Sequence, residues 1–332
     1  MKRLRMILRY DAGGASSRVR GIELSRFMDR EVGILVPGDT HWRRRYYTAA
    51  ISPRTVYIQK RASRRDIQVA HLRRRMGFAT VFDLDDAPGG VEEKVEQEAR
   101  VAEMMAAATA VTVGSRALEA FAGRYAQRVT RIPSAVDTDL YHPEESVQSR
   151  PVTVGWIGNG AGYLDELSDL ARIVGQVRAR TRIGVVIIGA MHRPEIHAAF
   201  GHDDDRVVDS LDWEHEEAIV DAMRDFDIGV YPLRDTRYNG FKCGYKAIQY
   251  MALGLPVVAS PTGENTHIVR DRNTGYLAGR DDEWVECLCA LAGDAGLRRR
   301  LGAGGRTDAV ERYSMARAAS LLDRLLDDIE RS

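Results

Sequence analysis

Twice in this chain an apolar, strand-like run ends in a glycine-containing junction and passes into a helix-patterned segment. The first is Arg5 to Arg9, followed by Gly13-Gly14; the second is VTVGWIG, ending in Gly158-Asn159-Gly160. Strand then helix, repeated, requires parallel strands joined by right-handed crossovers. Further strands are predicted at Val32–Val36, Thr55–Gln59, Ala79–Phe82, Ala110–Val113 and Val129–Ile132, then at Ile183–Gly189, Val207-Val208, Ile228–Tyr231 and Thr274–Leu277. Helical spacing is read at about 62–76, 91–107, Glu214–Met223, 281–292, 294–304 and 313–330, and Ser16 or Ser17 is read as the cap of the helix after Gly14. The fold class is therefore α/β, with two Rossmann-like domains whose parallel sheets face a central cleft. Pro133 to Pro143 has no periodicity and reads as the connection between them.

Length agrees: 332 residues suit two domains of roughly 150 each. No apolar run approaches the roughly 18–20 residues of a membrane span, and the start MKRLRMILRY reads as a strand rather than a signal peptide. The three cysteines, Cys243, Cys287 and Cys289, lack metal-ligand spacing and suit buried thiols in a reducing cytoplasm. Charge is uneven. Residues 1–143 hold 25 Lys and Arg against 17 acids, and the excess is concentrated in 43–75. Such a block suits an anionic membrane surface or an anionic acceptor, with solvated arginine-faced helices as the plain alternative. No nucleic-acid partner is expected, because aromatic interleaving is sparse and no binding motif occurs.

Residues 237–263, RYNGFKCGYKAIQYMALGLPVVASPTG, read as a loop, a short helix and a buried strand. Tyr238-Asn239-Gly240 is a turn by composition, Lys246 to Leu253 has helical spacing, and Gly254 ends it. A loop entering a helix aims free N–H groups and a positive dipole end outward, and Lys242 and Lys246 stand there. That combination suits a diphosphate; an ordinary αβ unit with solvated lysines is the plain alternative. Asp83-Leu84-Asp85-Asp86 follows a predicted strand directly, where doubly wound folds keep their sites. Asp85 or Asp86 either acts there or caps the turn or helix that follows. None of the eight histidines stands in a catalytic arrangement, and no metal site is expected.

The segment ALGLPVVAS-x-x-G resembles the C-terminal signature of glycosyltransferase family 4, the glycosyl transferases group 1. VTVGSRALEAF with VTRIPSAVDTDLYHP, and NTGYLAGRDDEWVECLCAL with LGAGGRTDAVERYS, are similar to further segments of that family in the same order. The resemblance implies a GT-B fold: residues 1–143 as an acceptor-side domain, 144–312 as a donor-side domain, and 313–332 as a helix crossing back to the first. It implies metal-independent sugar transfer with retention, from a UDP- or GDP-sugar co-substrate to a glycan, lipid-linked or small-molecule acceptor. The implied location is the cytoplasm, or the periphery of the inner membrane face.

The family signature sets two glutamates with seven residues between them. The second, a ribose ligand, falls on Gln249 and the first on Phe241; a two-residue shift of the loop brings Asn239 there instead. Lys246 matches a diphosphate-binding lysine, and Lys242 joins it. The resemblance further implies donor contacts from Gly13, Gly14, Arg18, Gly158, Asn159, Thr262, Gly263 and Glu264, with Lys246, Asp85 and Asp86 as the catalytic candidates. The Phe241 and Gln249 departures keep a second reading open: a catalytically impaired GT-B-like binding or partner protein.

Overall fold

The structure is a computed structural model that describes residues 3–8, 14–36, 41–144 and 151–331. Twelve strands form two sheets among these residues. β1 (Arg3–Ile7), β2 (Glu31–Leu35), β3 (Thr55–Gln59), β4 (Thr80–Leu84), β5 (Ala110–Val113) and β6 (Val129–Arg131) build the first, in the order β2-β1-β3-β4-β5-β6. β7 (Val152–Ile157), β8 (Ile183–Ile188), β9 (Arg206–Val208), β10 (Ile228–Tyr231), β11 (Val257–Ala259) and β12 (Gly275–Leu277) build the second, in the order β12-β11-β10-β7-β8-β9. Every neighbouring pair is parallel. Strands such as TVYIQ and IGVVII are buried along their whole length. That is the pattern of a parallel sheet covered by helices on both faces.

Both strand orders reverse direction once. The chain leaves β1 for β2 on one side and returns to β3 on the other; it likewise leaves β7 for β8 and β9, then returns to β10. Helices on either side of such a reversal diverge and leave a crevice at the carboxyl ends of the central strands. In the first sheet the crevice lies at the ends of β1 and β3. In the second it lies at the ends of β7 and β10, where Gly158 and Tyr231 stand.

The chain divides into two compact units: Met1–Ala135 with Thr236–Cys243 and Ser314–Ser332, and Val136–Asp235 with Gly244–Tyr313. The last helix, Met315–Arg331, buries Met315, Ala318, Ala319, Leu322, Leu325, Leu326 and Ile329, a stripe at three- and four-residue spacing. Arg30 of the same unit reaches Asp323 and Asp327 at 2.7 Å and Glu330 at 3.0 Å along it.

Several local readings of the sequence are corrected. The helix after Gly14 begins at Ala15, so neither Ser16 nor Ser17 caps it; Ser17 is buried inside it, and Arg18–Glu23 is a π-helical turn. β4 runs on to Leu84, which places Asp83 within the strand. The helix Val95–Ala107 starts after Lys94, so neither Asp85 nor Asp86 caps it. Tyr238-Asn239-Gly240 is helical: Arg237–Gly240 is a single turn whose Asn239 N–H donates to Thr236 Oγ1 at 3.1 Å. The helix expected to stop at 304 continues from Ala295 to Tyr313. Its glycines serve close approach rather than termination, because a Cβ on Gly302 would collide with the Gly254 carbonyl. The basic helix, Arg64–Arg75, is not wholly solvated either. Arg73 is buried and donates to the carbonyls of Ala49, Ala50, Ser52, Arg54 and Ala79.

Candidate functional site

In the second unit the candidate residues gather at the β7/β10 crevice. The helix Tyr245–Ala252 begins there on Gly244, whose φ of 70° is left-handed and whose missing Cβ would strike Ile268. No side chain caps this end. Lys246 occupies the first turn, where a cation opposes the helix dipole and an anion would be welcome. Its Nζ lies 4.2 Å from the centroid of the Tyr163 ring, 4.8 Å from that of Tyr231 and 5.4 Å from that of Trp156. Three ring faces thus hold the ammonium in place by cation–π attraction. Gly158 completes the arrangement, because a Cβ there would lie 2.6 Å from Lys246 Cε. The junction glycine is needed so that the lysine can cross the end of β7.

Asn159 follows, its carbonyl accepting from Gly162 N–H in a 3-10 turn over Gly160–Gly162. The Thr262–Glu264 turn abuts the same helix start. A Cβ on Gly244 would lie 3.3 Å from Asn265 Oδ1, one residue past that turn. Gly263 is left-handed at φ 60°, and Thr262 N–H donates to Ser260 O at 2.8 Å. Thr262 and Glu264 are both buried.

Gln249, one turn further along the helix, is committed inside the unit. Its Nε2 donates to Tyr141 OH at 2.8 Å. Tyr141 in turn donates to Glu216 Oε1, and Tyr245 OH donates to the same oxygen at 2.9 Å. Burial, then the neighbouring Tyr245 and Glu216, pushes the Tyr141 phenol far up, so it stays a neutral donor. The amide expected from the resemblance to contact a ribose is thus spent on the protein, beside a buried carboxylate supplied by Glu216.

In the first unit the candidates lie at the ends of β3 and β4. Asp83 is fully buried and held by Arg20 at 2.6 and 2.8 Å and by Thr112 Oγ1 at 2.7 Å, so it offers nothing to a metal or a substrate. Asp85 and Asp86 reach the Lys60 ammonium at 3.5 and 3.2 Å. Lys242 lies 3.4 Å from Asp86 and donates to Tyr238 OH at 2.7 Å. Burial pushes the Asp86 carboxyl up, but Lys60 and Lys242 together outweigh it, and its pKa falls below the ordinary carboxylate value. Asp86 therefore stays ionised and is a weak proton acceptor. Lys60 sits at φ 56° directly after β3, a left-handed conformation that costs a non-glycine residue about 1 kcal/mol. Its two carboxylate partners hold it there.

The remaining sequence-predicted residues are placed as follows. Gly13 lies outside the described residues. Gly14 precedes the helix at Ala15 in extended conformation, and Arg18 is buried within the first unit. Asn239 is buried in the Thr236-capped turn. Phe241 turns its ring against Phe121, centroids 6.1 Å apart, and joins the core of the first unit. Lys60, Arg20, Tyr141, Tyr163, Tyr231 and Glu216 were not identified from sequence. For Lys60 a signal existed, since it follows β3 as Asp85 follows β4. The others meet their partners only through the fold. Among the described residues no group of three or more His, Cys, Asp or Glu side chains is placed to hold a metal ion.

Residues 151–294 match the profile described as glycosyl transferases group 1. This segment is similar to the glycosyl transferases group 1 family. The fold is GT-B: Anabaena Alr3699/HepE, solved with UDP and glucose, superposes with a TM-score of 0.74 at 14% identity, over 98% of this chain and 99% of that one. The D-inositol 3-phosphate glycosyltransferase of Stackebrandtia nassauensis is 26% identical over 294 residues, covering 79% of this chain and 64% of that protein. The phosphatidyl-myo-inositol mannosyltransferase of Mycobacterium leprae is 33% identical over 113 residues, 33% of this chain and 29% of that protein. The chain thus spans less than two thirds of the length of these curated relatives. The group 1 segment contains the whole Lys246 arrangement, from Gly158 to Glu264.

Proposed function

We propose that the chain is a retaining, metal-independent glycosyltransferase that moves a sugar from a UDP- or GDP-sugar to a glycan, lipid-linked or small-molecule acceptor. The observation that carries this reading is the seat of Lys246. A cation held by three aromatic rings stands at an uncapped helix start, at the strand-order reversal of the sheet, inside the group 1 segment. There it neutralises the donor diphosphate and stabilises the departing nucleotide. Gly158, Asn159 and the Thr262–Glu264 turn line the same donor-binding end. In the first unit, Asp86 acts by holding Lys60 and Lys242, not by taking a proton, and Asp85 assists it. Asp83 is spent on Arg20 and Thr112, so the D-x-D pattern gives no metal ligand pair.

The test is incubation with UDP-, GDP- and ADP-sugars and a panel of acceptors, reading product by mass and anomeric configuration by NMR coupling. Transfer with retention supports the proposal; inversion, or transfer that requires a divalent cation, counts against its finer terms. A second reading, a nucleotide-sugar-binding partner protein without turnover, is favoured by one specific finding: Gln249 is committed to Tyr141 and Phe241 to the core. Saturable donor binding with neither transfer nor hydrolysis would select it.

A further inference from the structure

The function proposed above makes no use of the basic block at 43–75, and the structure shows how that block is arranged. Within 41–76 there are eleven Lys and Arg and a single acid, Asp66. Asp66 is buried and taken up by Tyr46, Ser63 and Arg61. Arg73 is buried, Arg45 and Arg74 donate to backbone carbonyls, and Lys60 is paired with Asp85 and Asp86. Arg54 is half-buried, and Arg43, Arg44, Arg64, Arg65 and Arg75 are exposed and without an ion pair among the described residues. Several exposed arginines elsewhere are neutralised by neighbours, as Arg180 is by Glu286, Arg182 by Asp204 and Arg206 by Asp225.

The same face exposes apolar side chains. The helices Trp42–Ala50 and Arg64–Arg75 line a shallow trough with Arg44, Tyr47 and Ile51 on one wall and Arg65, Gln68 and Leu72 on the other. Tyr47 is 50% exposed, Ile51 60%, Leu72 44% and Met76, at the end of the second helix, 43%. Three of the large exposed apolar residues, Tyr47, Ile51 and Leu72, therefore sit within one arginine-rimmed patch that has no exposed carboxylate on either helix, and Met76 follows at the end of the second helix. Arg65 lies over the Tyr47 ring, 5.8 Å from its centroid, so the cation and the apolar surface adjoin.

We infer that this face docks on an anionic phospholipid bilayer. Guanidinium groups meet the headgroup phosphates, while Ile51, Leu72 and Met76 enter the interface and Tyr47 lies at headgroup level. A nucleic acid or a polyanionic glycan would use the arginines but gain nothing from exposed aliphatic side chains. No described helix is long and apolar enough to cross a membrane, and the docking is peripheral. The inference stands apart from donor binding and survives or fails independently of it.

The test is co-sedimentation of the full chain with vesicles of equal phosphatidylcholine and phosphatidylglycerol, and with vesicles of phosphatidylcholine alone. Binding to the mixed vesicles, weakened by salt and absent on the neutral ones, is the expected result. Two variants divide the patch: Arg44→Gln/Arg65→Gln, and Ile51→Ser/Leu72→Ser. Each should weaken binding at least about tenfold, with an unchanged melting temperature. The control Arg299→Gln/Arg300→Gln, on exposed residues of the second unit, should bind as the parent does. Failure of the folded parent to bind the mixed vesicles at low salt overturns the inference. So does equal loss in the control, or an apolar variant that binds as well as the parent, which would indicate a polyanion surface instead.

Discussion

At the scale of single residues, Lys246 is the side chain on which the donor-binding reading turns. Replacing it with Met removes the charge and keeps most of the bulk, so the fold should persist while nucleotide-sugar affinity falls by about 2 kcal/mol, or roughly thirtyfold. Isothermal titration reads this directly. Gly158→Ala tests the geometry: the added methyl displaces Lys246 from above the end of β7, so donor affinity should drop although no charge is lost. Asp86 makes a different prediction. Its folded pKa lies below the ordinary value, so its stabilisation is present above the unfolded carboxylate pKa and is lost as pH falls through the folded one. Asp86→Asn should therefore lower stability by about 1–2 kcal/mol at neutral pH. The gap from the parent should close below about pH 4, as chemical denaturation across pH will show. Lys246 and Lys242 were legible in the sequence because they stand in a motif. Glu216 was not, because its partners Tyr245 and Tyr141 lie 29 and 75 residues away and only the fold joins them.

At the scale of elements, the strands were easier to read than their ends. TVYIQ and AVTV are β-branched runs bounded by turn residues, and both match the structure residue for residue. β4 was read short because its last positions are Asp83 and Leu84, and a carboxylate within a buried strand is expected only where a partner such as Arg20 waits. The helical conformation of Arg237–Gly240 was missed for a similar reason: Asn-Gly signals a turn, while Thr236 as a helix cap outweighs it here. The last helix carries the clearest test at this scale. Arg30 faces three carboxylates on it, and Arg30→Ala leaves Asp323, Asp327 and Glu330 on one face without their cation. These acids are partly exposed, so the loss should be about 2 kcal/mol, read as a lowered denaturation midpoint.

At the scale of the whole molecule, two six-stranded parallel sheets each reverse their strand order once; the candidate residues collect at the reversal of the second and at the ends of β3 and β4, beside the reversal, in the first. The alternation of strand and helix made the fold class readable from sequence alone. The choice of Asp86 as an ionic anchor and of Gln249 as an internal hydrogen-bonding group was not readable, because neither burial nor partner is written in local spacing. The central claim is that the Lys246 seat binds the diphosphate of a nucleotide sugar. Titrating the purified full chain and its Lys246→Met variant with UDP-, GDP- and ADP-sugars tests it most directly. The account predicts saturable binding of at least one donor by the parent and at least about tenfold weaker binding by the equally stable variant. No binding of any donor by the folded parent, or equal binding by the two proteins, would contradict it.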